Sequence, residues 1–482
     1  MKTMKYLSMA ALAVVGAVVT GCSSDDNIAD GSQSATQDNI VTVTTTVGFD
    51  EGAQARGTTR ALRIDYENRK ADKTFAVGDQ VALVYENTSE KKVMAVSEAL
   101  TAEDISAEGN SATLTFTLTN PKNSQTVEYF YPASLVSLNE NGNIVVPIAT
   151  QDGTLADVAS HDYACCNTGS MSGTTLSPVT LENKFAIVAF TLKDADGTHD
   201  ITSTITGMTI KAGSENYTVK GHDTDGRIYV IMRPTDGTHD ITITANDGIR
   251  DYTKTLTGKT YAANNFYQQG LRMTPQSTTL NLVSLPGSIT AQDGDVLTGT
   301  LNVEYDKYMI SIADGATVTL NGVTINGANS SSYHWAGITC LGDATIILSG
   351  TNTVKGFYQD YPGIYVPSDK TLTISGIGSL DASSNGAGAG IGGGFNLACG
   401  NIRIEGGTIT ATGGAYSAGI GGGNGAACGD ITITNTVTKV TATKGENATN
   451  SIGAGGNDGR VGTVTIGGVT GAITDSPYTY QP

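Results

Sequence analysis

The sequence predicts an all-β protein, and three observations support this fold class. Short runs in which β-branched residues alternate with polar residues, such as Ile40–Phe49, are typical of strands. Glycine is abundant, with 60 residues in 482, and 39 of them follow residue 282. In that same part of the chain a strand-like motif recurs every 26 to 33 residues. We therefore expect two β-sandwich domains followed by a right-handed parallel β-helix.

The N-terminus has the composition of a cleaved secretory signal. Lys2 and Lys5 precede an apolar run, Tyr6–Val19, that is too short to span a bilayer. The run leads into Val-Thr-Gly-Cys, which resembles a bacterial lipobox and implies acylation of Cys22; an ordinary signal peptide with an incidental cysteine is the alternative. The Ser-Ser-Asp-Asp run that follows resembles the tag of outer-surface lipoproteins, or else begins a solvated linker. We expect a lipid-anchored protein exposed on the cell outer membrane.

The predicted organisation has seven segments. Two sets of strand-like runs separated by turn residues predict the two sandwiches. Near residue 282 the glycine content rises and the fraction of charged residues falls, which marks the start of the repeats. The segments are a signal peptide (1–21), a flexible tether (22–39), a first sandwich (40–175), a second sandwich (176–274), a linker (275–282), a parallel β-helix (283–474) and a C-terminal tail (475–482).

Several short motifs follow the lipobox in a recognisable order. They are Thr59-Arg60-Ala61, Phe75 with Gly78-Asp79, Tyr129–Ala133, Leu155–Asp157 with His161–Tyr163, and Tyr261–Asn264. This order resembles the fimbrillin family, the two-domain pilins and tip proteins of type V pili, over about residues 1–274. The resemblance implies a surface lipoprotein with sandwich domains that works in a pilus or in cell adhesion.

The resemblance also implies assembly with other fimbrillin subunits by strand exchange. In the family, a protease cuts after an arginine and removes the first strand, and a strand of another subunit fills the groove. Here Ile40–Phe49 corresponds to the displaced strand, and Arg60, or else Arg56, corresponds to the cut site. The alternative is that Ile40–Phe49 is a permanent edge strand. Stalk subunits present a free C-terminal strand, whereas this chain continues into a further domain, which favours a tip position.

After residue 282 each repeat contains three short strands with Gly, Asn and Ser between them. This arrangement is typical of one coil of a parallel β-helix, and it resembles the β-helix modules of surface proteins that are described as carbohydrate-binding. The Ala-Gly-Ile-Gly-Gly-Gly runs at Ala389 and Ala418 are predicted corners with close backbone contact, because neither a lysine nor a helix start marks a phosphate loop. The predicted first strands begin at Thr317, Thr345, Thr371, Asn401, Asp430 and Thr463.

The cysteines do not predict a disulfide scaffold. If Cys22 is acylated, five cysteines remain in the mature chain, so at least one is unpaired. Cys399 and Cys428 hold matching positions one coil apart, where they form either a disulfide or a pair of stacked small apolar side chains. The sequence leaves open the states of Cys165, Cys166 and Cys340.

Aromatic residues recur in the loops between the second and third strands of the coils. Equivalent loops stack above one another in a solenoid, so these side chains are predicted to form a stripe on one flank. Flat aromatic faces beside polar groups suit sugar rings, and the alternative is that the rings only pack on each other. The candidate ligand-binding residues are Trp335, Tyr333, Tyr358, Tyr361 and Tyr416.

Charge and composition exclude other function classes. The net charge of −18 repels phosphate backbones, so nucleic acid is not an expected partner. Acidic residues after residue 282 fall singly at turns, which does not suggest the carboxylate pair of a polysaccharide-cleaving enzyme. The Asp-Gly-Thr-His-Asp turns at Asp196 and Asp236 lack a calcium-loop glutamate. We expect no catalytic residue, metal or cofactor, and we keep a polysaccharide-cleaving enzyme and a purely structural pilus subunit as alternatives.

Overall fold

The computed structural model describes residues 38–49, 63–65, 70–235, 239–301 and 308–482. These residues form almost entirely strands and turns, with a single α-helix among them. The protein is therefore all-β, as the sequence predicts. In the described ranges, no helix combines the length and the apolar character needed to cross a membrane.

The first strands of the chain build one large sheet. It has the order β5-β4-β7-β11-β13-β1-β6, with β12 attached to β11, and β2 pairs with β3 separately, as does β8 with β9. The elements are β1 (Ile40–Phe49), β2 (Arg63–Asp65), β3 (Lys70–Asp72), β4 (Ala82–Glu86), β5 (Lys92–Val96), β6 (Ser111–Thr119), β7 (Ser124–Tyr131), β8 (Ser137–Leu138), β9 (Ile144–Val145), β10 (Thr150–Gln151), α1 (Leu155–His161), β11 (Ala164–Ser172), β12 (Thr175–Leu176) and β13 (Val179–Asn183).

Strand β1 lies inside this sheet. It pairs antiparallel with β6 along nearly its whole length and parallel with β13 from Val47 to Phe49. Its alternate residues Val43, Val47 and Phe49 are buried, and the ring of Phe49 stacks on Phe75 with a centroid distance of 4.4 Å. Residues 47–49 of β1 have a neighbouring strand on both sides, whereas residues 40–46 pair only with β6, so β1 is an edge strand over part of its length. Whether β1 is permanent or is removed stays a prediction.

The next strands form two further sheets around a second core. The sheets have the orders β10-β16-β15-β18-β19-β21 and β17-β14-β20. Strand β10 precedes the predicted boundary at residue 175 and pairs parallel with β16. The elements are β14 (Ala186–Lys193), β15 (Gly207–Ala212), β16 (Glu215–Val219), β17 (Ile228–Met232), β18 (Ile241–Asn246), β19 (Asp251–Leu256), β20 (Phe266–Arg272) and β21 (Thr274–Pro275).

Strand β4 contributes to both hydrophobic cores. Leu83 and Tyr85 pack into the first core, whereas Ala82 and Val84 pack into the second. Successive residues of a strand point to opposite faces, so both faces of β4 are covered. This explains why its sequence is continuously apolar instead of alternating.

The remaining strands are β22 to β42, and we define the parallel stack as β22 to β40. Each repeat adds one strand to each of three columns, and nearly all neighbours pair parallel. The strands are β22 (Thr279–Asn281), β23 (Ile289–Ala291), β24 (Val296–Leu301), β25 (Ile310–Ile312), β26 (Ala316–Asn326), β27 (Ile338–Cys340), β28 (Ala344–Ser349), β29 (Thr351–Lys355), β30 (Ile364–Tyr365), β31 (Thr371–Gly376), β32 (Ser379–Ser383), β33 (Ile391–Gly392), β34 (Asn401–Ile404), β35 (Thr408–Thr412), β36 (Ile420–Gly421), β37 (Ile431–Ile433), β38 (Lys439–Thr443), β39 (Ile452–Gly453), β40 (Val464–Ile466), β41 (Val469–Thr470) and β42 (Tyr478–Tyr480).

The core of the parallel stack consists of ladders of aliphatic side chains. In the first column, one buried isoleucine of each strand lies beside the equivalent isoleucine of the next strand. The sequence period predicts this register, because a strand must present the same residue type inward in every coil. The ladder consists of Ile346, Ile374, Ile404, Ile433 and Ile466.

Other parts of the chain cover both ends of the parallel stack. At its start, Ile249 of the β18–β19 turn packs on the core, and Arg250 forms a buried ion pair with Asp295 at 2.9 Å. At its end, β42 pairs antiparallel with β38, and β41 pairs antiparallel with β40. Since open strand edges promote association with other chains, these contacts protect the stack at both ends.

A disulfide joins two neighbouring coils. Cys399 and Cys428 face each other in parallel turns, with their Cα atoms 4.6 Å apart. Of the two alternatives drawn from the sequence, the disulfide is therefore correct. The other cysteines of the described region, Cys165, Cys166 and Cys340, are free thiols.

Candidate functional site

The stacked loops bring most of the predicted aromatic residues together. Tyr333, His334 and Trp335 lie in the loop between β26 and β27, and Tyr358 and Tyr361 lie in the equivalent loop between β29 and β30. The second and third strands of these coils pair in register, so the loops between them lie side by side. We call these five residues the aromatic cluster.

Ring contacts join the two loops of the aromatic cluster. The ring of His334 stacks on Tyr358 at a centroid distance of 5.2 Å and on Tyr361 at 6.3 Å, with interplanar angles of 24° and 21°. Tyr333 meets Trp335 edge to face at 5.3 Å. His334 is exposed and the other four rings are partly buried, so the cluster offers aromatic surface to solvent.

Trp335 links the cluster to the core of the stack. Its indole lies 5.7 Å from the fully buried ring of Phe357, centroid to centroid. Its Nε1 atom is buried and has no hydrogen-bond partner among the described residues. A buried indole N–H usually has a hydrogen-bond acceptor. Trp335 therefore contributes packing area to the cluster, and its Nε1–H is a buried donor without an acceptor among the described residues.

Tyr416 lies apart from the aromatic cluster, in the loop between β35 and β36 two coils further on. Its backbone has a left-handed φ of 59°, and its N–H donates to the carbonyl oxygen of Glu446 at 2.7 Å. Its ring lies against the turn at Gly456, where an added methyl group would come within 3.1 Å of the ring. The structure thus brings together four of the five predicted ligand-binding residues.

His334 is the residue of the cluster that the sequence prediction missed. A lone histidine between two aromatic residues carries no recognisable spacing signal. Its role depends on the register between loops, which places its ring over two tyrosines of the neighbouring coil. Only the matching loop positions in successive repeats could have indicated this contact.

The single acidic residues of the turns bind main-chain groups of the next coil. Asp314 accepts from the N–H of Asp343, Asp343 from that of Thr371, and Asp430 from that of Thr463, at 2.6–2.7 Å. The N–H of Asp343, assisted by Lys370, lowers the pKa of Asp314 below its usual value. Carboxylates held in this way hold the coils in register, which agrees with the prediction that they are turn residues.

Asp194, Asp196 and His199 form a polar cluster in the turn after β14. Their ligand atoms lie within 4.8 Å of one another, and His199 Nδ1 is 2.8 Å from Asp194 Oδ2. Burial alone raises the pKa of Asp194, but hydrogen bonds from His199 outweigh it and lower the pKa to about 2. Hydrogen bonds within the turn explain why these three side chains lie together, as is usual for Asp-rich turns.

A cavity of about 420 Å³ lies where β11 and β13 diverge. The two strands pair only at Ala164 and Cys165 and then separate, which leaves polar backbone and side chains around the gap. Glu182 and Lys184 form an ion pair at 2.6 Å on its rim. The cavity lies in the first sheet, outside the parallel stack that carries the aromatic cluster.

Comparisons with known proteins give only partial structural likenesses. No family model matches the sequence, and no curated protein matches it. A protein from Bacteroides fragilis, provisionally named for cell adhesion, is 15% identical over 49% of this chain and 97% of its own, with a TM-score of 0.29. A fimbrial assembly protein from Parabacteroides distasonis is 13% identical over 49% of this chain and 91% of its own, with a TM-score of 0.23. The Bacillus anthracis TIE protein is 11% identical over 51% of this chain and 37% of its own, with a TM-score of 0.16.

Three of the predicted functional residues lie outside the described residues. They are the predicted lipidation site Cys22 and the predicted cleavage sites Arg56 and Arg60. The last two fall between β1 and β2, so a cut at either position would separate β1 from the rest of the chain.

Proposed function

We propose that this protein is a non-enzymatic, surface-anchored adhesin of fimbrial type, whose parallel stack is a right-handed β-helix that binds carbohydrate. The observation that carries the proposal is the stacking of aromatic rings across loops of neighbouring coils. A pair of loops in fixed register presents aromatic faces that one extended ligand contacts together. The ligand-binding residues in this proposal are Trp335, Tyr333, Tyr358, Tyr361 and Tyr416.

The chemistry of the cluster suits sugars. Aromatic faces pack on the C–H faces of a sugar ring, and nearby polar groups bond its hydroxyls. The exposed Gln359 side chain, which donates to the Tyr358 hydroxyl at 3.2 Å, supplies such a polar group in one of these loops. The turn carboxylates are already bound to main-chain N–H groups, so the role proposed for this surface is binding and not cleavage.

A fluorescence titration tests carbohydrate binding. Trp335 is the only tryptophan of the chain, so its emission reports directly on this surface. Titrating the full chain with soluble xyloglucan, galactomannan and mixed-linkage β-glucan is expected to shift the emission, and Tyr358→Ala is expected to weaken the affinity threefold to tenfold. Unchanged emission with every glycan on an array, together with no retention on that array, would overturn the proposal.

We propose further that the protein is anchored through Cys22 and occupies the end of a filament. Removal of β1 would open a groove between β6 and β13 lined by the partners of Val43, Val47 and Phe49, and a strand of another subunit fits such a groove. The C-terminal strand β42 is engaged with β38, so it is not free to enter a groove on a neighbour.

The position of the N-terminus in protein isolated from cells tests the proposed cleavage and strand exchange. Mass spectrometry of surface protein is expected to find chains that begin at Ala61 or Gly57, derived from a precursor with a lipidated Cys22. Changing Arg56 and Arg60 together to Ala is expected to retain the precursor form and abolish filament incorporation. Filaments built from subunits that all retain β1 would contradict strand exchange, and a Cys22→Ser variant that stays on membranes would contradict the anchor.

A further inference from the structure

The turns that follow the third strands lie directly against the loops of the aromatic cluster and its neighbours. The third strands β30, β33, β36 and β39 are each only two residues long, so the turn that follows one of them lies close to the loop before the third strand of the preceding coil. A main-chain hydrogen bond repeats this contact in three coils: from Phe395 N–H to Asp360 O at 2.7 Å, from Asn424 N–H to Ala387 O at 3.1 Å, and from Gly456 N–H to Tyr416 O at 2.6 Å. The three turn residues therefore form a column alongside the loops.

Phe395 is an exposed aromatic residue in this column. Its exposed fraction is 44%, although large apolar side chains are normally covered. The equivalent positions in the next coils hold Asn424 and Gly456, so the fold itself does not require an aromatic ring there. At the Gly456 level the ring of Tyr416 lies over the glycine. Phe395, Asn424 and the Gly456 turn, against which the Tyr416 ring lies, thus follow one another along the column at successive coils.

The loops and turns around Phe395 and Asn424 are nearly free of charge, whereas Lys444, Glu446 and Asp458 lie in the loop and turn at the Gly456 end of the column. The whole chain has 15% charged residues and a net charge of −18, yet Asp360 is the only Asp, Glu, Lys or Arg in the six segments around Phe395 and Asn424. A surface selected for an acidic ligand would contain lysine or arginine. The segments are 327–337, 356–363, 384–389, 393–398, 413–418 and 422–427.

We infer that the ligand surface extends from the aromatic cluster through Phe395 and Asn424 to Tyr416, and that it binds a neutral, extended polysaccharide. This inference rests on the proposed carbohydrate binding. The Gly456 turn, against which the Tyr416 ring lies, is two coils beyond the Phe395 turn. At the usual strand spacing this is about 10 Å, which is close to the length of two sugar units in an extended chain. Phe395 and Tyr416 stack on alternate sugars. The Oδ1 of Asn424 accepts a hydrogen bond from Asn457 at 2.7 Å, and its Nδ2 donates to a hydroxyl of the sugar between them.

The test compares Phe395→Ala with a matched control, Ile377→Ala. Ile377 is 95% exposed at the corner between β31 and β32, away from the third strands, so its removal deletes exposed apolar surface elsewhere in the same region. In the full chain, Trp335 emission is titrated with xyloglucan, galactomannan and mixed-linkage β-glucan as neutral probes and with polygalacturonate as the acidic probe. Phe395→Ala is expected to weaken the neutral polysaccharide threefold to tenfold, and Ile377→Ala is expected to leave its affinity unchanged.

The outcomes separate this inference from the proposed function. If the parent protein binds a neutral glycan and Phe395→Ala binds it equally well, the extended surface is wrong while carbohydrate binding stands. Polygalacturonate binding at least as tight as that of the neutral probes would overturn the neutral-ligand assignment alone. A parent protein that binds no polysaccharide overturns both. Equal melting temperatures of the two variants ensure that the readout is binding and not folding.

Discussion

Replacing Asp295 by alanine is expected to destabilise the parallel stack by about 3–5 kcal/mol. Asp295 is fully buried, and its carboxylate pairs with Arg250 at 2.9 Å while it accepts the N–H groups of Thr278 and Gln292. Its removal leaves the Arg250 guanidinium buried without its counter-charge and leaves two main-chain donors without their acceptor. Urea unfolding followed by Trp335 emission measures the loss, because this tryptophan lies in the stack itself.

The control for this prediction is a pair of exposed charges in the same stack. Arg403 and Glu405 form an ion pair whose side chains are 47% and 36% exposed. Exposed pairs contribute about 0–1 kcal/mol, so Glu405→Ala is expected to shift the midpoint little. If Asp295→Ala moves the midpoint no further than Glu405→Ala does, the buried ion pair does not hold the start of the stack.

Gly421→Ala is expected to cost about 3 kcal/mol or more, or to prevent folding of the stack. Gly421 has a φ of 129°, which side chains rarely adopt, and an added methyl group would lie 2.1 Å from the carbonyl oxygen of Gly453 in the next coil. Because the obstacle is backbone on a coil with its own neighbours, no side-chain rotation relieves the clash. A thermal melt followed by circular dichroism or Trp335 emission measures the effect.

Gly322 supplies the matched control. It also has a positive φ, of 70°, but an added methyl group would meet nothing within 4 Å. Gly322→Ala therefore carries only the backbone cost of about 1–2 kcal/mol. Equal destabilisation by the two alanines would show that backbone conformation, and not the close stacking of third strands, explains the glycine runs.

The sequence predicts the strands of the parallel stack well because its signal is repeated. Each coil must present an aliphatic residue such as Ile374 or Ile404 inward at the same place, so a local pattern is confirmed by every other copy. The same logic predicts the loop aromatics, since equivalent loops of stacked coils are neighbours. It also predicts the close approach of the glycines at Gly392 and Gly421.

Contacts between distant, unrepeated segments leave no such signal. The continuous apolar run of β4 does not indicate that Val84 packs into one core and Leu83 into the other. The covering of the stack by Ile249 and the pairing of β42 with β38 each occur once, far apart in the chain. The placement of Phe395 beside Asp360 depends on third strands that are only two residues long, which periodicity does not reveal.

The direction of the hydrogen bonds in the parallel stack determines how it responds to mechanical load. Bonds between coils run along the stack axis, so a pull along that axis strains one ladder at a time, and the coils can peel off in sequence. The Cys399–Cys428 bond fastens two coils covalently just beyond the loops of the aromatic cluster. The ion pair of Arg250 and Asp295 fastens the first coil to the domain before it. If the proposed ligand binds at the loops and the proposed anchor holds the N-terminus, tension passes through the coils between the Arg250–Asp295 ion pair and the aromatic cluster. Extension of these coils would absorb work before the protein is torn from its support.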